Sequence, residues 1–490
     1  MANYTVRTRH HEYAHHIKRW KKIRNALSGD CAQYLRDVGK NESDASYGKA
    51  RQAEYVDGAV FYNFTKRTLS GMVGAVMRKP PEIELPDSMK GLLDNVDGSG
   101  VGLIQHSQDT LKEIDSIGRG GLLTDAPNTE IANRAMQNKC ELNPTIGFYT
   151  AENIISWRTH LVGSVVKLCM IVLRERYEYT PEGGDEFTWY HAEQYRVLDF
   201  DENGYYRQRV YKFNDNGDEV LNDGENFQLL EPKRGNGERF NYIPFEFIGS
   251  DNNDSTVDDS PMYPLCELNI GHYRNSADNE ESSFVVGQPT LMLALGESMD
   301  IDSFEKFNPN GIKLGARKGH NLGAGGNAFL VQAESNNLAK ENMRNKEEQA
   351  VQIGAQLISP TTQITAESAR LQRGADTSVM STIADNVSEA YTKSLQHVAD
   401  MMGLGDSEMD KISFKLNTEF FLQQMTAQDR AAWMVDINAG LLPMRSYWSA
   451  LRKAGQTDWT DEEIEDGLSN QPIVSSTDVT GDIPSSPTEE

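Results

Sequence analysis

Apolar residues recur at helical spacing through much of this chain, and the places where that spacing fails divide it into parts. Near the start, Tyr13, Ile17, Trp20, Ile23 and Leu27 fall at i, i+3 and i+4 intervals, which predicts an amphipathic helix. Val56, Val60, Phe64, Leu69, Val73 and Val76 predict a second helix over about 54 to 77. Lys79-Pro80-Pro81 ends it, because proline cannot continue the hydrogen-bond ladder. Leu103, Ile104, Leu111, Ile114 and Ile117 predict a third between Gly102 and Gly118, and the following GLLTDAP reads as a buried strand entering a turn. From about 154 to 248 the pattern turns to β. Residues 165 to 176 are rich in Val, Leu and Ile, and 187 to 200 in aromatics. Asn203-Gly204 and Asn216-Gly217 predict two hairpin turns joined by one strand, since Asn and Gly tolerate positive φ. The fold class is therefore α+β, with the sheet in the second half of the N-terminal domain.

Residues 250 to 260 (SDNNDSTVDDS) read as an acidic, flexible linker. The helix predicted over 261 to 284 is apolar first (Met262, Leu265, Leu268) and polar later (Asp278, Asn279, Glu280, Glu281), a pattern suited to packing against copies of itself or lining water. Short strands are expected over 284 to 295 and 312 to 331, around the run GARKGHNLGAGG. A second polar helix over 336 to 357 turns apolar at Val351, Ile353 and Leu357, and Ser359-Pro360-Thr361-Thr362 stops it. A much longer helix, 366 to 402, spans about 55 Å at ~1.5 Å per residue. Val379, Ile383, Val387, Tyr391, Leu395, Val398 and Met402 form its stripe, and Gly374 is its candidate kink. Residues 411 to 421 alternate as a strand returning to the earlier sheet. Three short helices are expected over 427 to 438, 444 to 455 and 461 to 468. The Ser, Thr, Pro, Asp and Glu that dominate from Ser469 predict disorder.

With 490 residues there is room for two or three domains, and 38% hydrophobic with 25% charged residues is ordinary for a soluble protein. No apolar run reaches the roughly 20 residues of a membrane helix; 161 to 173 comes nearest and is broken by Gly163, Ser164 and Lys167. The first residues lack the apolar core of a secretory signal, so a product made and kept in the cytoplasm is expected. Cys31, Cys140, Cys169 and Cys266 are too scattered to suggest a disulfide framework or a zinc site. A net charge of −25 argues against nucleic acid wrapped over the whole surface. It leaves room for DNA in a channel whose wall must not hold phosphate. Against that background residues 1 to 24 carry seven Lys and Arg and only Glu12, a local +6. That basic helix either docks on its own domain or meets an acidic neighbour or DNA.

Candidate chemistry is thin. His10, His11, His15 and His16 sit at i, i+4 spacing without Cys partners and amid basic neighbours, so a polar helix surface accounts for them better than a metal site. Asp199, Asp201, Asn203 and Gly204 mimic the start of a calcium loop, but its last ligand position is Val210. Asp251, Asp254, Asp258 and Asp259 form a slightly better ion candidate. Glycines 319 to 326 lack the strand, helix and Lys-Ser or Lys-Thr of a phosphate loop and read as a flexible tip, where Arg317, Lys318 and His320 could meet phosphate or an acidic partner. No nucleophile, acid–base or metal constellation stands out, so neither an enzyme nor a bound cofactor or metal is expected.

Taken in order, EYVDGAVFYNFTKRTLSGMVGAVMRKPPEIELP, GRGGLLTDAP, YTAENIISWR, IPFEFIGSDNND, SPMYPLCELNIGHYRNSADNEESSF, VGQPTL and ITAESARL resemble a portal protein of tailed double-stranded-DNA phages, the head-to-tail connector. The resemblance covers about residues 50 to 425. It implies a portal fold of wing, stem, clip and crown, assembled as a ring, usually of twelve copies, around a central channel at one capsid vertex. Under it, residues 1 to 260 are the wing, 261 to 284 and 336 to 358 the stem helices, and 285 to 335 the clip. Residues 359 to 365 are then the tunnel loop, 366 to 403 the long helix, 404 to 425 a strand returning to the wing, 426 to 468 the crown and 469 to 490 an acidic tail.

The implied partners are double-stranded DNA, terminase and then tail or adaptor proteins at the clip, and the major capsid and scaffolding proteins, with no membrane. The implied location is the virion, after assembly in the host cytoplasm. The tunnel loop, Ser359, Pro360, Thr361, Thr362, Gln363, Ile364 and Thr365, has no Lys or Arg and would touch a moving duplex without holding it. Lys340, Arg344 and Lys346 would pair with Glu341, Glu347 and Glu348, within or between subunits, or form cationic rings. The alternatives are another virion structural or head-tail adaptor protein without a DNA channel, and an enzyme on an acidic or sugar substrate.

Overall fold

The computed structural model describes residues 5–126, 143–179, 185, 187, 189–214, 219–220, 226–287, 290–297, 299–309, 321–331, 337–353, 366–418, 420, 427–453, 455–457 and 459–469. The chain forms two compact units, Met1–Thr418 and Glu419–Glu490.

The first unit opens with α1 (His11–Ser28), which buries Tyr13, Trp20, Ile23 and Ala26 and stops at Gly29, where φ is +88°. Its cations serve its own domain. Arg19 meets Asp259 at 2.8 Å, Lys22 meets Glu267, and the Arg24 guanidinium bridges Glu113 and Glu152. Of the two readings of this helix, docking on its own domain accounts for those three charges.

The helix expected over 54 to 77 is two helices, α2 (Ala45–Gly58) and α3 (Phe64–Val76). Asn63 makes the break. Its side-chain oxygen accepts the Lys66 N–H at 2.8 Å to cap α3, and its amide donates to the Ala26 carbonyl at 2.7 Å, tying the junction to the end of α1. Apolar periodicity alone runs across such a cap, because Val60 next to it is exposed.

β1 (Glu82–Glu84) precedes α4 (Leu103–Ile117), which is buried from Glu113 onward and ends at Gly118 with φ +82°. β2 (Arg119–Asp125) follows and lies between β10 (Phe245–Gly249) and β3 (Thr145–Thr150) in an antiparallel three-stranded sheet. A six-stranded antiparallel sheet holds β4 (Ile154–Val162), β5 (Val165–Tyr179), β6 (Tyr190–Phe200), β7 (Tyr206–Phe213) and β8 (Glu219–Val220) in that order. β9 (Gln228–Leu230) is also on β7. The β6–β7 turn uses Gly204 at φ +79°, as its Asn-Gly pair predicts. β7 pairs with β8, while Asn216-Gly217 between them lies outside the described residues. The shared core of α1 and these sheets includes Trp20, Ile23, Trp157, Ile171, Leu198, Phe240 and Phe247.

The helical tract follows: α5 (Tyr263–Gly287), β11 (Thr290–Ala294), α6 (Ile301–Phe307), β12 (Asn327–Val331), α7 (Leu338–Ile353) and α8 (Ala366–Met401). α8 packs on α4, β2 and β10, and buried Tyr391 on it bonds His106 Nδ1 at 2.7 Å and Thr110 Oγ1 at 2.8 Å. β13 (Ser413–Lys415) does not rejoin the larger sheets but pairs antiparallel with β1. Its ladder goes no further because α8 takes the other edge. The Phe414 N–H donates to Thr392 Oγ1 at 3.1 Å and the Leu416 N–H to Ser388 Oγ at 2.9 Å. With its donors satisfied by side chains, the strand needs no second neighbour.

The second unit contains the three helices expected, α9 (Ala427–Asn438), α10 (Met444–Lys453) and α11 (Asp461–Ser469). Thr460 and Glu463 form a capping box at the start of α11, and Arg445–Glu465 and Arg452–Asp461 ion pairs join α10 to α11.

Candidate functional site

Several polar groups of α5 find partners inside the chain. Asn269 is fully buried, accepting from Thr65 N–H and Oγ1 at 3.1 and 2.8 Å and donating to the Tyr62 carbonyl at 2.9 Å. Further along, Asp278 accepts from Tyr55 Oη at 2.7 Å, Arg274 donates to the Tyr34 carbonyl, and Glu281 lies 3.3 Å from Arg51. For these four groups, partners within the chain replace the expected copies of the helix or water, while Glu280 remains exposed. α2, α3 and the segments leading into them supply these partners, and such groups cost little when paired and much when not.

α5 also packs on α7. His272, fully buried, sits edge-on to Tyr62 and Phe64, and its Nε2 donates to Glu347 Oε1 at 3.0 Å. Gly271 gives Lys346 passage: a Cβ there would lie 3.1 Å from Lys346 Cε. On the outer side of α7, Lys340, Glu341, Arg344 and Glu348 are exposed, with Arg344 3.7 Å from Glu348. Of the six candidates on this helix, Lys346 and Glu347 therefore face α5, Arg344 and Glu348 pair along the surface, and the charges of the set balance.

Between these helices β11 and β12 form a separate two-stranded antiparallel sheet, Leu291 opposite Leu330 and Met292 opposite Phe329. Met292, Phe329, Leu330 and Val331 are all exposed. Arg317, Lys318 and His320, and the whole of Ser359 to Thr365, lie outside the described residues.

Residues 250–260 are not a free linker. Arg119, fully buried on β2, donates through Nη1 to the carbonyls of Asp254 and Thr256 at 2.9 and 2.8 Å and through Nη2 to that of Ser255 at 3.1 Å. Its guanidinium also lies over the Phe247 and Trp157 rings. Burial lowers its pKa to about 10, with Asp258 acting the other way, so it stays charged at neutral pH. Asp258 turns inward to accept the N–H groups of Asp251 and Asn252. The acidic loop closes on an internal cation, so its carbonyls are not open to a metal ion.

The other ion candidates resolve similarly. Asp199 holds Arg207 and Arg209 at 2.9 and 2.7 Å, and Asp201 holds Arg239 at 2.6 Å. His10 stacks on Trp157 and His16 on Trp20. Among the described residues no cluster of His, Cys, Asp or Glu is arranged to hold a metal, and no helix is long and apolar enough to cross a membrane. Sequence reasoning missed Arg119, although one charge inside the apolar run GRGGLLT was the available signal.

A family model described as "Domain of unknown function (DUF4055)" matches residues 261–402, the tract from α5 to the end of α8. No curated protein matches the chain. Among solved structures, a chain in the virion of a native gene transfer agent (GTA) particle aligns at 13% identity over 77% of this chain and 86% of its own, with a TM-score of 0.40. A chain in the neck of an empty GTA particle computed with C6 symmetry aligns at 12% over 76% and 85%, TM-score 0.39. One in the neck of a native GTA particle computed with C12 symmetry aligns at 14% over 77% and 85%, TM-score 0.37. Scores of this size do not establish a common fold.

Proposed function

We propose that this chain is a portal-type subunit: a non-enzymatic protein that closes into a ring, by the sequence resemblance a dodecamer, at one capsid vertex and passes double-stranded DNA through its channel. The observation that carries the reading is the succession α5, β11–β12, α7, α8. Two helices pack side by side, the segment between them carries a small sheet with apolar side chains in water, and a 36-residue helix follows. A two-stranded sheet is marginal in water by itself. Met292, Phe329, Leu330 and Val331 are therefore suited to burial by a neighbouring copy, as ring closure would provide.

In this reading 261–284 and 336–358 are the stem, 285–335 the clip that docks terminase and later tail or adaptor proteins, and 359–365 the tunnel loop. The balanced charges of α7 and the uncharged loop suit a wall along which DNA slides, because strong counterion-release binding would stall it. Negative-stain electron microscopy of the purified full chain is the direct test. Annular particles are the expected result; a compact monomer under all assembly conditions would overturn the reading, and non-annular oligomers would favour a virion adaptor without a channel.

A further inference from the structure

The first half of the most apolar run of the chain ends up in water, while Ile171, Val172 and Leu173 enter the core. β4 and β5 continue past their last buried pair, Trp157 and Ile171, as a free two-stranded finger reaching about 20 Å to its turn at Gly163, where φ is +67°. Leu161 pairs with Val166 and Val162 with Val165, so each face of the tip carries one aliphatic pair. All four are exposed, at 53 to 62%. The flanks are cationic: between Glu152 and Glu175 there is no carboxylate, in a chain where 73 of 490 residues are acidic. Among the described residues Arg158 and Lys167 are both exposed, and neither forms an ion pair.

We infer that this finger is an intersubunit contact, docking its tip on a different surface of a second copy of the chain. Charge complementarity selects that occupant. The finger is a local cation on a chain of −25, so another copy offers it an acidic surface with apolar neighbours. DNA would engage Arg158 and Lys167 but leave the four aliphatics in water. An anionic membrane would take both, but it would repel the rest of the chain. A finger of one copy on another surface of the next is a heterologous contact, the kind that closes a ring. The inference rests on the self-association in the proposed function, not on passage of DNA.

The test uses the full chain, with Leu161→Thr, Val162→Thr, Val165→Thr and Val166→Thr combined, since threonine keeps strand propensity and the sites contribute nothing to the core. A second variant is Arg158→Glu with Lys167→Glu. Mass photometry across concentration and salt reads assembly, far-UV circular dichroism confirms the fold, and negative stain identifies rings. Both variants should raise the assembly midpoint concentration at least tenfold, and added salt should weaken wild-type assembly. Rings with unchanged midpoints would overturn the inference while leaving the portal reading standing. Finger-dependent oligomers that are not rings would do the reverse. A wild type that never associates overturns both. Pelleting with anionic vesicles that the Thr variant abolishes, at unchanged assembly, would assign the tip to a membrane instead and overturn the inference.

Discussion

At the scale of single residues, two buried charges make opposite demands. Asp115 lies inside α4 with both carboxyl oxygens buried and without a hydrogen-bond partner among the described residues, and burial pushes its carboxyl up to about 7. The folded state therefore keeps that proton to higher pH than the unfolded chain, and stability from this group falls as pH rises from about 4 to 7. Asp115→Asn removes the component, so its stability relative to wild type should improve between pH 5 and pH 8. The change should be on the order of 2 to 3 kcal/mol by chemical denaturation. Identical pH dependence of the two proteins would contradict it. Arg119 is the partnered counterpart, holding three carbonyls through Nη1 and Nη2. Arg119→Met strands three carbonyls and should cost about 3 kcal/mol or more, with faster amide exchange across 250–260. Arg119→Lys keeps the charge without the planar fork and should recover only part. Neither role is readable from the chain, since Asp115 is an ordinary polar position in a helical pattern and the loop that Arg119 binds begins 131 residues after it.

At the scale of elements, close approach separates glycines that periodicity treats alike. A Cβ on Gly121, in the central strand β2, would lie 2.2 Å from the Phe245 ring, which itself packs on Phe247. Gly121→Ala should cost roughly 3 kcal/mol, read as a fall in melting temperature. Gly271→Ala meets only the far end of Lys346 and should be neutral or stabilising by up to about 1 kcal/mol through helix propensity. The edge of β13 gives a second contrast. Thr392→Val removes the hydroxyl that both donates to the Phe414 carbonyl and accepts its N–H, and should cost about 1 to 2 kcal/mol. Exchange should quicken at the Phe414 amide while the paired amides of β2 stay protected. α1, α4 and α8 were legible because each carries an apolar stripe, and α5 and α7 because each changes polarity along its length between breaker residues. The α2–α3 break and the partner of β13 were not, because both depend on side chains of distant elements.

At the scale of the whole molecule, the polar half of α5 changes what argues for assembly. With Asn269, Asp278 and Glu281 satisfied within one chain, the case for neighbours passes to exposed apolar surface on β11–β12 and the β4–β5 finger. Function in the proposed channel is tested at the loop. Combined Thr361→Lys and Thr362→Lys should leave particle assembly intact but impair DNA retention or passage, because two added cations per copy strengthen phosphate binding. Unchanged packaging would remove the loop from that role.

The sequence by itself determined the α+β class, the order of the helices in the 261–402 tract and the Asn203-Gly204 hairpin, since these follow from periodicity, breakers and turn chemistry acting over a few residues. It also determined the acidic balance and the lack of a recognisable catalytic motif. Tertiary structure alone decided which charges are free. It drew Arg24 and Arg119, with Glu267, Asp278 and Glu281 of α5, into internal contacts and turned the acidic linker into a loop closed on a guanidinium. It also left the first half of the most apolar run as an exposed finger. The physical reason is that burial and pairing depend on groups brought together from about ninety to more than two hundred residues apart, and local pattern carries no information about that distance.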